Sequence, residues 1–386
     1  MTNVLHFLPV YLPAWQYGGP VLSVSRLCEG LTDLGVPVRV ITTNAGLTGL
    51  PLNRLGKTSL VNGGEVTYYP VDNPSGVIYS KALVKSLSEH MKWADVLHIS
   101  SIWQPLGLAV QKAAHDYSVP VIHTLRGGLG SYSWRRGWWK KIPYHLLYER
   151  PLLQRARLIH CTTRLERDEL SFLRLRPPSI LLPNPISLDQ FFYSDQIRTE
   201  WRTRLGITKS QKLLLVAGRM HHKKGLDLLP PLLSRLTQYD WRILFLGNDD
   251  DNSLRKLKKS LIMSGISERA QYSQALPTSE LIGPYNAADC LLLPSRHENF
   301  GNVVVEALAC GCPTLISSKV GVGDDVEPCP GVKIAARHPD LFLQSLLNIL
   351  ATTRPNTLSE HWVKHRFSSQ VIAHQAIQIY HKLTNE

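Results

Sequence analysis

Acidic residues are scarce in this chain. Its 386 residues hold 30 Asp and Glu against 43 Lys and Arg, a net charge of +13, with an isoelectric point near 9.5. Long apolar runs are missing too: none approaches the roughly 18 residues that a membrane-spanning helix requires. The six cysteines, at 28, 161, 290, 310, 312 and 329, form no Cys-x-x-Cys pair and several sit in apolar runs. This argues against a metal site and for reduced core thiols in a cytoplasmic protein. The dinucleotide pattern Gly-x-Gly-x-x-Gly is absent after the first strand, which counts against NAD or FAD. There is no low-complexity tract, no fixed-period repeat and no helix-turn-helix, zinc-finger or stacked-aromatic signature to pair the charge with nucleic acid. The opening residues 1–9 lack a basic n-region, so they are expected to form a strand rather than a signal peptide. The positive excess then points to anionic lipid or a polyanionic glycan, or only to solubility.

The composition that is present, 44% apolar and 19% charged, is that of an ordinary folded chain. Its length suits two domains, each able to bury a full core. Short apolar runs alternate with amphipathic stretches. Val4–Leu8, Val36–Thr43, Val66–Pro70, Val96–Ile99, Val119–His123 and Leu158–Cys161 read as strands. Pro20–Leu34, Ser80–Trp93, Pro105–Tyr117, Lys140–Ala156 and Arg164–Leu173 read as helices between them. Leu181–Ile186 reads as a last strand running into a proline-stiffened hinge. The alternation then resumes with strands Lys212–Ala217, Trp241–Leu246, Asp289–Pro294 and Thr314–Ser317. The helices expected with these are Gly225–Thr237, Asn252–Met263, Thr278–Ala287 and Gly301–Cys310, followed by an amphipathic tail, Phe367–Thr384. Strands spaced by helices imply parallel sheets with right-handed crossovers. The expected fold is α/β, two doubly wound, Rossmann-like domains at 1–183 and 184–366 facing across a cleft. In such sheets ligands bind beyond the carboxyl ends of strands.

Four loops follow strands in this way. The first, Tyr17-Gly18-Gly19-Pro20, opens a helix; its glycines either let a phosphate or sugar approach the backbone or merely make a tight turn. His123 ends a strand ahead of Thr124-Leu125-Arg126-Gly127-Gly128, and a lone histidine there is more often structural than catalytic. The third is Gly218-Arg219-Met220-His221-His222-Lys223-Lys224-Gly225. It offers a guanidinium able to grip phosphate with two N–H groups, and an ammonium as a point charge. The fourth is Pro294-Ser295-Arg296-His297-Glu298-Asn299-Phe300-Gly301. It runs into a helix whose first free N–H groups, on Gly301, Asn302 and Val303, suit an anion. Glu298 lies at the mouth and Glu306 more than one turn inside the helix. That spacing suits a nucleotide-sugar, with its diphosphate between the two carboxylates.

Glu-x7-Glu within P-S-x-x-E-x-F-G-x-x-x-x-E-A, with the Gly-Arg-x-x-x-x-Lys-Gly loop upstream, resembles the signature of retaining glycosyltransferase family four, whose fold is GT-B. The resemblance implies transfer of a hexose from a UDP- or GDP-sugar to a hydroxyl acceptor in polysaccharide, lipopolysaccharide or glycolipid synthesis. It implies that Arg219 and Lys224 neutralise the departing diphosphate, with Glu298 on donor-sugar hydroxyls and Glu306 on the ribose. Gly18, Gly19, Gly218, Asn299, Phe300, Gly301, Asn302 and Val303 would line the donor site, and His123 would contact the donor sugar. Arg126 would meet donor phosphate or acceptor. The tail 367–386 would pack back on the first domain, and Leu276-Pro277 would lie beside the base. No metal and no other cofactor is expected, so Asn248-Asp249-Asp250-Asp251 reads as loop and N-cap carboxylates. In one segment the chain departs from the family pattern: Val320-Gly321-Val322-Gly323-Asp324-Asp325-Val326 stands where a Pro-Glu turn is usual, and no role is assigned to it. Rival readings are a sugar-nucleotide 2-epimerase of the same fold, a phosphorylase with a pyridoxal phosphate lysine, and a non-catalytic scaffold.

Between Gly127 and Lys141 stand Trp134, Arg135, Arg136, Trp138, Trp139, Lys140 and Lys141. Interleaved rings and cations suit an anionic membrane surface, each basic residue there being worth about 1 kcal/mol. They equally suit a packed interior or, with Trp15, Tyr17 and Trp103, an aromatic acceptor pocket. A peripheral contact with the inner face of a membrane is therefore an expectation to test.

Overall fold

Two sheets organise the chain. The structure is a computed structural model that describes residues 1–14, 18–47, 54–61, 64–74, 76–100, 102–130, 133–134, 138–352 and 357–385. Trp15, Tyr17, Arg135 and Arg136, named above, lie outside the described residues. Residues Met1–Pro185 and Ser369–Glu386 form one compact unit and Ile186–Ser368 the other.

Unit 1 contains β1 (Val4–Val10), β2 (Val38–Thr43), β3 (Thr58–Val61), β4 (Gly64–Tyr69), β5 (Val96–Ile99), β6 (Val121–Thr124), β7 (Leu158–Cys161) and β8 (Ser179–Leu181). They lie in the order β3-β4-β2-β1-β5-β6-β7-β8. All pairings are parallel except β3 with β4. Along β1, Val4 and Leu8 enter one core while Leu5 and Phe7 enter the other. Alternation over a sheet covered on both faces requires this near-continuous apolar run. The terminal helix Ser369–Asn385 buries Ile372, Ala373, Ala376, Tyr380 and Leu383 on the first of those cores. Gly30, on the helix Gly19–Asp33, allows the close approach: a Cβ there would sit 3.2 Å from that of Ala373 and would clash with the Ser369 carbonyl group.

Unit 2 contains β9 (Lys212–Ala217), β10 (Trp241–Leu246), β11 (Ala270–Ser273), β12 (Cys290–Leu293), β13 (Thr314–Ser317) and β14 (Val332–Ala335). The order is β11-β10-β9-β12-β13-β14, parallel throughout. The chain winds outward from β9 on one side and from β12 on the other. The sheet therefore reverses direction between β9 and β12, and loops leaving those two strands flank the place where ligands bind in doubly wound sheets.

Several elements differ from the sequence reading. Gly225–Thr237 is not one helix: short 3₁₀ turns, His222–Lys224 and Leu226–Leu228, precede a helical piece at Leu229–Leu233. Gly225 at φ +64° breaks the run, and Pro230 and Pro231 remove N–H donors. Lys140–Ala156 divides into a helix Trp138–Tyr144, a π turn His145–Glu149 and a short helix Arg150–Leu153, with Pro143 and Pro151 inside the stretch. The strand expected at Leu181–Ile186 ends at Leu181, because Pro183 and Pro185 cannot donate to a ladder. Ile186 is instead buried in unit 2, where it bridges Ser368 and closes that unit at both ends. The units accordingly divide at 185/186 and 368/369 rather than at 183/184 and 366/367. Strands β3, β11 and β14 and the helices Asp195–Arg204 and Pro339–Leu350 were not among the elements read from the sequence.

All six cysteines are buried free thiols. Among the described residues no helix is long and apolar enough to cross a membrane.

Candidate functional site

In unit 2 the site is built where β9 and β12 end. Gly218 follows β9 with φ +112°, and Lys224 Nζ lies 3.4 Å from where a Cβ on Gly218 would stand. Gly247, after β10, has φ +146°, and a Cβ there would strike the Gly218 carbonyl group. The loops after β9 and β10 are laced together: the Met220 N–H donates to the Asn248 carbonyl at 2.7 Å, and the Asp250 N–H donates to Met220 O at 3.2 Å. Gly225 backs against the end of β12, so that a side chain there would collide with the Pro294 carbonyl oxygen.

An ion pair joins the two loops of this site at its centre. Lys224 Nζ donates to Glu298 Oε2 at 2.7 Å, with the two side chains 15% and 26% exposed. Burial by itself would raise the Glu298 carboxyl, but Lys224 and, more weakly, His297 and Lys223 hold it below its ordinary range. Arg219 stands apart in environment: it is 70% exposed and its guanidinium pairs with Asp250 at 3.1 Å. Such an exposed pair is worth little and yields readily to a phosphate.

Glu298 is held by the segment to which the sequence reading assigned no role. The Glu298 N–H donates to Lys319 O, the Gly321 N–H to Glu298 O and the Val322 N–H to Phe300 O, at 2.9–3.0 Å. Gly301 (φ +98°) caps the helix Asn302–Ala309 and leaves no room for a Cβ beside Val320. Phe300 is buried, and Asn302 and Val303 form the first turn. Glu306, expected on the ribose, is 4% exposed, and its Oε2 accepts a hydrogen bond from the Tyr285 hydroxyl at 3.0 Å.

Three further residues, none in a recognisable motif position, fix the Lys224 loop. Asp227 accepts from Arg296 at 2.7 Å and from Arg337 at 2.6 Å. Arg337 also donates to the carbonyls of Pro294 at 3.0 Å and Gly225 at 3.1 Å. The Arg296 N–H donates to Lys223 O at 2.7 Å. These are positioning residues, and only their tertiary neighbours reveal them. Gly225→Ala should therefore weaken both fold and donor binding. The left-handed backbone conformation and the collision with Pro294 together cost about 2–4 kcal/mol. A melting curve together with a UDP titration checks this, and an unchanged pair of values would count against the brace.

The acidic run after β10 acts through hydrogen bonds. Asp251 accepts from the Ser253 hydroxyl and N–H, from the His222 N–H at 3.1 Å and from His222 Nδ1 at 2.7 Å. Slight burial pushes its pKa up, but Ser253 and His222 outweigh that and hold it well below the usual range. Among the described residues His221, His222 and Asp251 are the group whose ligand atoms, within 4.8 Å of one another, could hold a metal ion.

Unit 1 carries the remaining expected residues. Gly18 (φ +88°) caps the helix Gly19–Asp33 with nothing within 4 Å of a Cβ, so backbone conformation rather than crowding requires glycine there. His123 lies near the end of β6 and is buried. Arg126 is engaged within unit 1. It adopts φ +50°, is half-buried, and its Nη1 donates to Ser23 Oγ and Asn184 Oδ1, both at 2.9 Å. Burial lowers its pKa to about 10, with Glu166 pulling the other way. It ties the helix after Gly18 to the stretch before Pro185. The tryptophans divide: Trp103 and Trp134 pack edge to face, while Trp138 and Trp139 are exposed.

Comparison with known proteins gives one family. The model for Glycosyl transferases group 1 matches residues 197–345, and that for the Glycosyl transferase 4-like domain matches residues 18–185. A D-inositol 3-phosphate glycosyltransferase of Frankia alni is 28% identical over 384 residues, covering 90% of this chain and 89% of that protein. Another, from Xylanimonas cellulosilytica, is 29% identical over 275 residues, covering 67% of this chain and 64% of that protein, slightly under two thirds of its length. Sucrose-phosphate synthase from Thermosynechococcus elongatus superposes with a TM-score of 0.76 at 18% identity, covering 99% of each chain. Anabaena HepE, solved in complex with UDP and glucose, also gives 0.76, at 15% identity and 99% and 100% coverage.

Proposed function

The chain belongs to the group 1 glycosyltransferases of GT-B fold, and we propose that it moves a hexose, with retention, from a UDP- or GDP-sugar to a hydroxyl acceptor in glycan or glycolipid synthesis. One observation carries this reading: Lys224 and Glu298, from loops leaving β9 and β12, meet at 2.7 Å where the unit 2 sheet reverses direction. We assign the donor to unit 2 and the acceptor to unit 1.

The chemistry follows from where charge develops. When the anomeric C–O bond breaks, its electron pair passes to an oxygen of the leaving diphosphate. The acceptor oxygen bonds to the anomeric carbon from the same face, and its proton passes to that leaving oxygen. Lys224 is held by Glu298 before the donor arrives, so it meets the new charge without reorganising. Arg219 exchanges Asp250 for phosphate, and the amides at Gly301–Val303 face the remaining oxygens. Glu298 combines two tasks, orienting Lys224 and accepting from donor-sugar hydroxyls. Glu306, set by Tyr285, takes the ribose. No metal is assigned a part, because two cations and a helix end already supply the positive charge.

The test is a screen of UDP- and GDP-sugars for binding and slow hydrolysis. Acceptors then follow: inositol 3-phosphate, on which the curated relatives act by name, free glycans and lipid-linked sugars. Transfer with retained anomeric configuration is the expected result. Epimerised donor with no acceptor present, or no binding of any sugar nucleotide, would overturn the reading.

A further inference from the structure

The stretch that follows the tryptophans is folded inside out. Between Lys141 and Glu149 the charged and imidazole side chains turn inward, while Lys140 stays exposed. His145 and Glu149 are buried, Glu149 Oε1 accepts from the Trp103 N–H at 2.8 Å, and Lys141 Nζ donates to the Ser133 carbonyl at 2.7 Å. Trp138, Trp139, Ile142, Leu146, Leu147 and Tyr148 face out, each between 40% and 68% exposed. A surface helix normally presents the opposite pattern, its apolar stripe turned to the core. Among the described residues these six are part of a set of sixteen exposed large hydrophobics, yet they fall within eleven consecutive positions. Scattered apolar residues need no explanation, whereas a contiguous patch marks an interaction surface.

Charge identifies what covers it. Residues 138–176 hold nine Lys and Arg against four Asp and Glu, a net +5 out of the whole chain's +13. Two of the four acids, Glu149 and Glu166, are buried, so the positive excess at the surface is larger still. Lys140 Nζ sits 4.7 Å from the centre of the exposed Trp139 ring, an aromatic and cation side by side as at the headgroup level of a bilayer. A second copy of the same face would bring two strongly positive regions together, which disfavours self-association.

We infer that the outward face of Trp138–Tyr148 is a docking surface for an anionic lipid bilayer, the helix lying in the interface with its rings and leucines below the phosphates. Lys140 then contacts the headgroups. This inference is independent of the donor chemistry, so either can fail without the other.

The experiment is co-sedimentation of the full chain with vesicles of phosphatidylcholine alone and of phosphatidylcholine mixed with phosphatidylglycerol. Binding is expected to the anionic vesicles, to weaken with added salt, and to blue-shift tryptophan emission. The double variant L146E/L147E should lower the partition coefficient at least about tenfold, and K140E should lower it less. Both should keep the melting temperature and UDP affinity of the parent, since these side chains are exposed. No binding to anionic vesicles at low salt overturns the inference, as does equal binding to neutral ones or an L146E/L147E variant that binds like the parent. Dimers dispersed by L146E/L147E, without vesicle binding, would assign the face to a second copy instead.

Discussion

Replacing Lys224 by alanine is expected to lower kcat/KM about 10²–10³-fold, the loss that follows removal of one preorganised group stabilising transition-state charge. Two effects combine. The leaving diphosphate loses a cation, and Glu298, 26% exposed, loses its counter-ion at 2.7 Å. Without Lys224 the strongest influence left on that carboxyl is burial, which raises its pKa. A partly buried acceptor stranded in this way costs about 1–3 kcal/mol of stability. Glu298→Gln separates the contributions: in the K224A/E298Q double variant stability should return toward the parent, while turnover stays low. Steady-state transfer and thermal melts measure both, and a K224A enzyme within about threefold of the parent would remove the basis of the mechanism. With Lys224 in place, the Glu298 pKa is depressed, so the pair's contribution is complete above the ordinary carboxylate range. It is lost only as pH falls through the lowered value.

Mild acid should unfold unit 1 before unit 2. Under the sheet of unit 1, His98 Nδ1 meets the Tyr380 hydroxyl at 2.9 Å, His98 Nε2 meets Thr124 at 2.8 Å, and His160 Nε2 donates to Leu182 O at 2.7 Å. His6 lies against His98, ring centroids 4.9 Å apart and the planes tilted by 33°, and both its ring nitrogens are buried without a hydrogen-bond partner. Burial first, then the positive charge of Arg126 and neighbouring histidines, lowers His6 to about 3; burial and then Arg126 do the same for His160. The same causes lower His98 well below its ordinary value. Because the folded pKa values lie below the unfolded one near 6.5, the unfolded chain takes up protons first. Stability therefore falls as pH drops from about 6.5 toward 3. Each proton that the unfolded chain takes up in excess of the folded one costs about 1.4 kcal/mol per pH unit. The three rings touch and titrate as a coupled cluster, so unit 1 loses stability progressively in mild acid.

Unit 2 depends on a depressed carboxylate instead. Burial would raise Asp289, but Arg198 and Arg202 bring it below its ordinary value, so its contribution is lost only at lower pH. Circular dichroism against pH should show two steps. His6→Leu should make the first step shallower and raise stability at neutral pH by about 1 kcal/mol, because it removes an unsatisfied buried group. A single transition near pH 3, unchanged by His6→Leu, would contradict the assignment.

How much of this was legible beforehand depends on whether the signal was local. Apolar runs such as Leu213–Val216 and Cys290–Leu293 read as strands because a sheet covered on both faces needs no alternation. Gly218, Gly225 and Gly301 stood out at loop and helix-opening positions because glycine tolerates backbone conformations that other residues avoid, and each takes a positive φ. Where Gly225 and the tandem prolines Pro230 and Pro231 interrupted a periodic stretch, periodicity alone suggested one long helix, and only the piece Leu229–Leu233, with the prolines in its first turn, is helical. The tryptophan segment stayed ambiguous because composition does not say which side of a helix meets the core.

From the order of its residues alone, this chain determined its alternating strands and helices, the loops bearing Arg219, Lys224 and Glu298, and a family signature in the second half. Those follow from the conformational limits and hydrophobicity of neighbouring residues. Only the tertiary structure decided that Lys224 pairs with Glu298, that Arg337 and Asp227 hold their loops, that Arg126 is a brace, and that the Trp138 helix turns its apolar side outward. Each of these joins residues far apart in the chain, or sets one face of a helix against a core, and only three-dimensional packing determines such pairings.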